Sequence, residues 1–228
     1  MPTAFDFPHE TVAVIDFETT GMSPSTGGRA TEIAAVLVEG GQIVGHYASL
    51  INSGAWVPPF IEQLTGISNA MLGRAPPADR VMREVASFVG DRPLVAHNAA
   101  FDRAFWRAEL RRADRDAEHR FACTMLLARR LYPESPNHRL GTLAALHRLP
   151  DAGRAHRALA DAQTTAHLLL QMQRDVMQRF ALRAAPHELL TQLQRTPRSR
   201  LAEFIAGHGA RGASAGSPIR QPAPGRLP

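Results

Sequence analysis

Two carboxylates, Asp16 and Glu18, stand two residues apart at the end of the apolar run Val12-Ala13-Val14-Ile15. The run is rich in β-branched residues and reads as a buried strand. Side chains alternate along a strand, so Val12, Val14, Asp16 and Glu18 share one face, with the two carboxylates roughly 6–7 Å apart. Like charges at the end of a buried strand are costly unless a cation neutralises them. That cation is a bound metal ion or, if the strand tip is solvated, an arginine for each acid.

Two further stretches carry chemistry. Val95-Ala96-His97-Asn98-Ala99-Ala100-Phe101-Asp102 takes a strand into a helix with an acid in its first turn, and His156-Arg157-Ala158-Leu159-Ala160-Asp161 opens a long helix. Helical positions five apart point about 140° away from each other. His156 and Asp161 therefore serve one centre only if His156 lies in the loop ahead of the helix and Asp161 on its inner face. Four carboxylates with no cysteine partner favour a hard cation, Mg²⁺ or Mn²⁺ rather than zinc. They are too many for one magnesium that keeps its waters, and suit two ions about 3.5–4 Å apart, the arrangement for in-line displacement at phosphorus. A histidine beside them is suited to take the proton of an attacking water near neutral pH. Without metal, such a site repels a phosphodiester, so metal dependence is part of the expectation.

The elements that must position these groups follow from pattern. After a Pro/Gly/Ser loop at 23–29, two β-rich runs, Glu32–Glu39 and Gln42–Ile51, flank Gly40-Gly41, a tight hairpin turn. Helices are expected at Phe60–Leu64, at Ser68–Leu72 with Ser68 as N-cap, and at Ala78–Val89, where Val81, Val85, Phe88 and Val89 form one stripe. A strand at Pro93–His97 leads into a helix from about Ala100 to Arg112. Phe121–Cys123 precedes helices at Thr124–Leu131 and Leu140–His147, and a long helix runs from about Ala158 to Phe180. A hairpin followed by strand–helix alternation argues for a mixed α/β sheet covered by helices. Beyond Pro186 come two short helices, His187–Gln194 and Pro197–Ala206, the second with Thr196 as N-cap and Gly207 as stop. From His208 the Gly/Ser/Pro/Ala/Arg composition reads as disordered. The organisation expected is a domain at 1–180, a helical extension at 181–207 and a tail at 208–228.

The 228 residues suit one α/β domain with an appendix, and the net charge is +5. Residues 181–228 hold seven arginines against two acids, so residues 1–180 contain 19 charges of each sign and the body is neutral. Overall basicity is thus no argument for nucleic acid. The chain has no lysine, which excludes a P-loop lysine, a Schiff-base lysine and a lysine base. One cysteine, Cys123, no apolar run of membrane length and no signal-like start point to a cytoplasmic protein. Several residues read as structural: Glu32 as a fold residue rather than part of the site, Asp151 as a turn residue, Cys123 as a small apolar residue, and His138, His147 and His167 as surface or satisfied histidines.

VIDFETTG, LTGIS (Leu64–Ser68), VAHNAAFD and HRALADA, in this order, resemble the motifs of the DEDD exonuclease superfamily. The histidine five residues before the last aspartate marks the DEDDh branch of DnaQ-like 3′–5′ exonucleases, which includes the proofreading subunit of bacterial DNA polymerase III. The resemblance spans roughly residues 11–175. It implies a ribonuclease H-like fold, a five-stranded mixed sheet whose second strand is antiparallel. It implies that Asp16, Glu18, Asp102 and Asp161 bind two divalent ions, Mg²⁺ or Mn²⁺, with His156 as general base. It further implies substrate contacts at Phe17, Thr19, Thr20, Leu64, Thr65, His97, Asn98 and Phe101. The expected activity is removal of 5′-mononucleotides from single-stranded DNA 3′ ends, in proofreading or repair, with a polymerase partner in trans. RNA trimming of the ribonuclease T or oligoribonuclease kind, and a non-catalytic polymerase- or nucleic-acid-binding module, are the alternatives.

Overall fold

The apolar run forms strand β1, Val12–Thr19, at the centre of a sheet with antiparallel neighbours on one side and parallel ones on the other. The computed structural model describes residues 7–116 and 118–214. Strands β2 (Ala30–Glu39), β3 (Gln42–Leu50), β4 (Leu94–Ala96) and β5 (Phe121–Cys123) complete the order β3-β2-β1-β4-β5. β2 is antiparallel to both of its neighbours, and β4 and β5 run parallel to β1. The hairpin turn falls at Gly40-Gly41, both at positive φ as such a tight turn requires.

Helices α1 (Pro59–Thr65) and α2 (Asn69–Leu72) follow the hairpin, and the Ser68 hydroxyl accepts from the Met71 amide as an N-cap. α3 (Ala78–Val89) and α4 (Ala99–Arg112) pack with Ala13, Ile15 and Phe17 on one face of the sheet. On the other face, Val12 and Val14 meet α5 (Thr124–Leu131), α7 (Ala158–Phe180) and α8 (His187–Leu193), and α6 (Leu140–Leu146) adds Leu143 to the same core. Ile15 and Ile33 are fully buried, and full burial of such a side chain stabilises by about 1.5–3 kcal/mol. This apolar anchoring lets β1 carry acids at its far end.

The C-terminal extension joins the same core through Leu189, Leu190 and Leu193. Gln194 completes the free edge of β5. Its Oε1 accepts from the Cys123 amide at 2.6 Å, and its Nε2 donates to the Phe121 carbonyl at 3.1 Å. One side-chain amide thus does the work of a neighbouring strand's peptide group. The ending differs from expectation. Pro197 caps a 3₁₀ turn at Arg198–Arg200, while the Thr196 hydroxyl bonds back to the Gln192 carbonyl. Helix α9, Leu201–Ser214, runs through Gly207 and His208 instead of stopping there. A glycine inside a helix costs only about 1 kcal/mol relative to alanine, which buried Leu201 and Ile205 on the common core can offset. The rest of the tail expected to be disordered, 215–228, lies outside the described residues.

Candidate active site

β1 outruns β4, because their pairing covers only Ala13 and Val14. The vacated edge is taken by α4, whose Asp102 Oδ1 accepts from the Phe17 amide at 3.2 Å. A side chain substitutes for the missing strand and brings an acid beside Asp16. Asp102 is buried at 2% exposure in the first turn of α4, and Asp161 lies in the first turn of α7. Helix N-termini favour negative charge, each by about 0.3–1 kcal/mol. Asp16 and Glu18 lie on the sheet face that carries α7, as alternation requires.

His156 stands in the loop ahead of α7 with φ of 60°, an uncommon backbone conformation. Its amide donates to Asp161 Oδ2 at 3.1 Å, which holds the turn. Ligand atoms of Glu18, His156 and Asp161 lie within 4.8 Å of one another. The same loop leans on α1: a Cβ at Gly66, which ends α1 at φ of 74°, would meet the Arg154 guanidinium at 2.6 Å. The LTGIS motif and the histidine loop are therefore neighbours, and the positive φ of Gly66 favours glycine where they meet.

The electrostatics are those of an uncompensated acidic cluster. Burial pushes Asp16 well above the usual carboxylate range, and the charges of Asp102, Asp161, Glu18 and Glu32 push it further. Glu18 is pushed up to about 8, mainly by burial and then by Asp161 and Glu32. Burial likewise raises Asp102, and raises Asp161 against the lowering effect of the His156 amide. Among the described residues no protein donor reaches the Asp16 carboxylate. This donor set fits a divalent cation: several buried oxygens and an imidazole, with no cation among the described residues that balances them in full.

The nearest candidate, Arg157, is committed elsewhere. Its guanidinium binds Glu32 at 2.7 and 3.1 Å, and the Ala158 amide donates to the same carboxylate at 2.9 Å. Glu32 faces Glu18 directly across the β1–β2 ladder. It fastens the start of α7 to the sheet and so fixes where His156 and Asp161 stand. This is a fold role, with electrostatic consequences for the site. Removing one partner of a buried ion pair costs about 3–5 kcal/mol, and the partial exposure of Arg157 moderates that. Glu32→Ala should lower stability by about 2–4 kcal/mol, with a matching fall in melting temperature.

The other residues expected at the site divide by exposure. Leu64 is 47% exposed and free to meet a ligand, while Thr65 is buried. The Thr65 hydroxyl donates to the Ile61 carbonyl and accepts from the Ile67 amide, so it is used within α1 and its exit. Thr19 bonds to the Gly21 carbonyl, and Thr20 accepts from the Arg29 amide. That loop is held by Glu109, a buried acid on α4 that accepts from the Arg29 guanidinium and the Ala30 amide. Phe17, Phe105 and Phe101 form an aromatic row, with centroid separations of 6.4 and 4.9 Å. His97 has both ring nitrogens engaged at 2.9 Å, by Thr124 Oγ1 and the His138 carbonyl. Burial lowers it to about 4, so it is neutral and donates through Nε2. It lines a cavity of about 850 Å³ with His156, Asp161 and Arg139.

Of the residues read as structural, Asp151 caps the Gly153 amide and Cys123 is buried. His138 is satisfied as expected, its Nε2 meeting the Tyr132 carbonyl at 3.1 Å while its own carbonyl supports His97, whereas the buried His147 Nε2 has no hydrogen-bond partner. Glu109 and Gln194 escaped the sequence reading; an acid in the apolar stripe of α4 was the available signal for the first.

A mixed five-stranded sheet with an acidic cluster at the end of its central strand defines a ribonuclease H-like exonuclease architecture. The exonuclease family RNase_T matches residues 13–169, and the chain belongs to that family, in its DnaQ-like branch. It is 45% identical over 168 residues to a candidate bifunctional exonuclease/endonuclease of Mycobacterium tuberculosis, which covers 70% of this chain and 26% of that protein. Over 185 residues it is 37% identical to the 3′-5′ exonuclease DinG of Bacillus subtilis, covering 80% of this chain and 19% of DinG. The chain thus spans about a quarter or less of these relatives. Among solved structures, exonuclease X in complex with 5′ overhanging duplex DNA superposes with a TM-score of 0.64 at 28% identity, covering 80% of this chain and 99% of that one. No helix among the described residues is long and apolar enough to cross a membrane.

Proposed function

We propose that the protein is a metal-dependent 3′–5′ exonuclease that removes 5′-mononucleotides from single-stranded or frayed DNA 3′ ends. The observation that carries the reading is the cluster of Asp16, Glu18, Asp102 and Asp161, with raised carboxyls and His156 at its open side. The four acids would hold two ions, Mg²⁺ or Mn²⁺. When bound, such ions make water a better nucleophile and neutralise charge on the leaving oxygen.

The chain's own residues do the rest. The ring nitrogen of His156 takes the proton of the attacking water. The water oxygen bonds to the phosphorus of the terminal nucleotide, and the bond from that phosphorus to the 3′ oxygen of the preceding nucleotide breaks. The products are a 5′-mononucleotide and a new 3′ hydroxyl. In this reading exposed Leu64 and half-buried Phe101 receive an unstacked terminal base, which favours single strands. His97, neutral and doubly bonded, orients the wall of the groove rather than moving protons.

The DNA in the exonuclease X complex favours DNA over RNA as the substrate class. Proofreading or repair beside a polymerase in trans is the biological setting we propose, since relatives at 36–37% identity include PolC-type DNA polymerase III chains. The test uses a 5′-labelled single-stranded DNA oligomer and an RNA of equal length, with Mn²⁺, Mg²⁺ or EDTA. The expected result is a ladder shortening from the 3′ end of the DNA, abolished by EDTA. Preferential RNA shortening would replace the substrate assignment, and two untouched oligomers would favour a binding module.

A further inference from the structure

A second cavity, of about 430 Å³, is lined by Asn98 and by none of the acids of the cluster. Its walls come from the start of α4, from β5 and α5, and from the C-terminal extension through Gln194 and Arg195. Three arginines line it, Arg103, Arg120 and Arg195, and no acid does. None of the three guanidinium groups has an ion-pair or hydrogen-bond partner among the described residues, whereas Arg157, beside Glu18, is paired with Glu32. The floor includes Phe121, Met125 and Leu126, which are half-buried and apolar. Met125 also lines the cavity that holds His156 and Asp161, so the two cavities adjoin.

We propose that this cavity is an upstream subsite for the substrate strand. It holds the backbone phosphates and one base of the same strand, 5′ of the bond that is cut. The inference rests on the nuclease reading above. Free guanidinium groups bind phosphate through paired N–H donors, and an apolar floor takes a base face. The volume suits one nucleotide unit. The charge division has a physical purpose. An acidic centre repels the phosphodiester it must cut, so attraction has to come from arginines outside it. The neutral total of residues 1–180 conceals this separation. Gln194 links the subsite to the fold, because its bonds to β5 set α8, and with it Arg195, against the cavity.

The test compares the full chain with a triple variant, Arg103→Gln, Arg120→Gln and Arg195→Gln, and with Arg195→Gln alone. Binding of a fluorescent single-stranded 20-mer is read in EDTA across salt concentrations. Hydrolysis of a DNA dinucleotide and of the 20-mer is read with Mn²⁺. The proposal expects the triple variant to melt as the wild type does and to bind the 20-mer 10- to 100-fold more weakly. Its log–log salt slope should be shallower by about 2, at roughly 0.7 per lost phosphate contact. kcat/KM on the 20-mer should fall at least tenfold, with the dinucleotide unaffected. Equal losses on both substrates or an unchanged salt slope would overturn it. If the triple variant is unfolded, Arg195→Gln decides alone, with a slope change of about 0.7 expected. If the wild type cuts neither substrate, the nuclease reading fails, and the salt slope still decides whether the arginines contact phosphate.

Discussion

Asp16→Asn should abolish turnover, by a factor of about 10³ or more, while making the metal-free protein more stable. The direction of the second effect is the informative one. Burial raises the Asp16 carboxyl well above its ordinary range, the charges of Asp102, Asp161, Glu18 and Glu32 raise it further, and it receives no hydrogen bond from the described protein. Its charge therefore opposes folding, and an amide of the same shape relieves that opposition. A residue kept for its architecture would behave in the opposite way. Losing metal stabilisation of the reacting phosphate is a matter of several kcal/mol, and each 1.4 kcal/mol is tenfold in rate. Asp161→Asn should be equally inactive but with a smaller gain in stability, because the bond from the His156 amide already favours the Asp161 charge. Rates on the labelled oligomer and melting curves in EDTA check both variants. Turnover within tenfold of wild type for Asp16→Asn would remove it from the site.

In EDTA the protein should lose stability as pH rises from 7 to 8.5, and saturating Mn²⁺ or Mg²⁺ should suppress the loss. The sign follows from proton binding. Glu18, with an ordinary value of 4.5, is pushed up to about 8, and Asp16, Asp102 and Asp161 are raised as well. Between these limits the folded chain keeps protons that the unfolded chain has released, so stability falls as pH rises through the folded values. One such group changes stability by at most about 1.4 kcal/mol per pH unit, or roughly 3–6 °C in melting temperature for a chain of this size. Buried His97 and His187 act in the opposite sense, since burial lowers both. Their contribution grows as pH rises and is complete by about pH 7, where unfolded histidine is largely deprotonated. Working above pH 7 isolates the carboxylates. A metal bound only by the folded state at a hundred times its Kd adds about 2.7 kcal/mol. Melting temperatures that ignore both pH and metal would contradict an acidic cluster awaiting a cation.

The parts legible in the sequence are those written in local periods. Alternation along Val12–Glu18 placed both acids on one sheet face, and the five-residue spacing of His156 and Asp161 required the histidine to precede its helix. The Gly-Gly hairpin and the helices α3, α5 and α7 were likewise readable, because turn chemistry and helical periodicity act over a few residues. The last helix was not: Gly207 is a stop signal locally, but packing of Leu201 and Ile205 outweighs it.

What the sequence determined by itself, then, was the set of groups on which the proposed chemistry draws: four acids, a histidine, and a strand with a helix on each side to carry them. Tertiary structure alone decided how they meet and what else gathers around them. Asp102 reaches Asp16 because β4 ends early and leaves the Phe17 amide for a helix side chain to take. Glu32 and Arg157, 125 residues apart, pin the histidine loop, and Gln194 mends the edge of β5 from 71 residues away. Arg103, Arg120 and Arg195 become neighbours only when α4, β5 and α8 pack together. Such contacts depend on chain closure over long separations, where no short-range period records them, and the balanced charges of residues 1–180 hide a molecule divided into acidic and basic hollows.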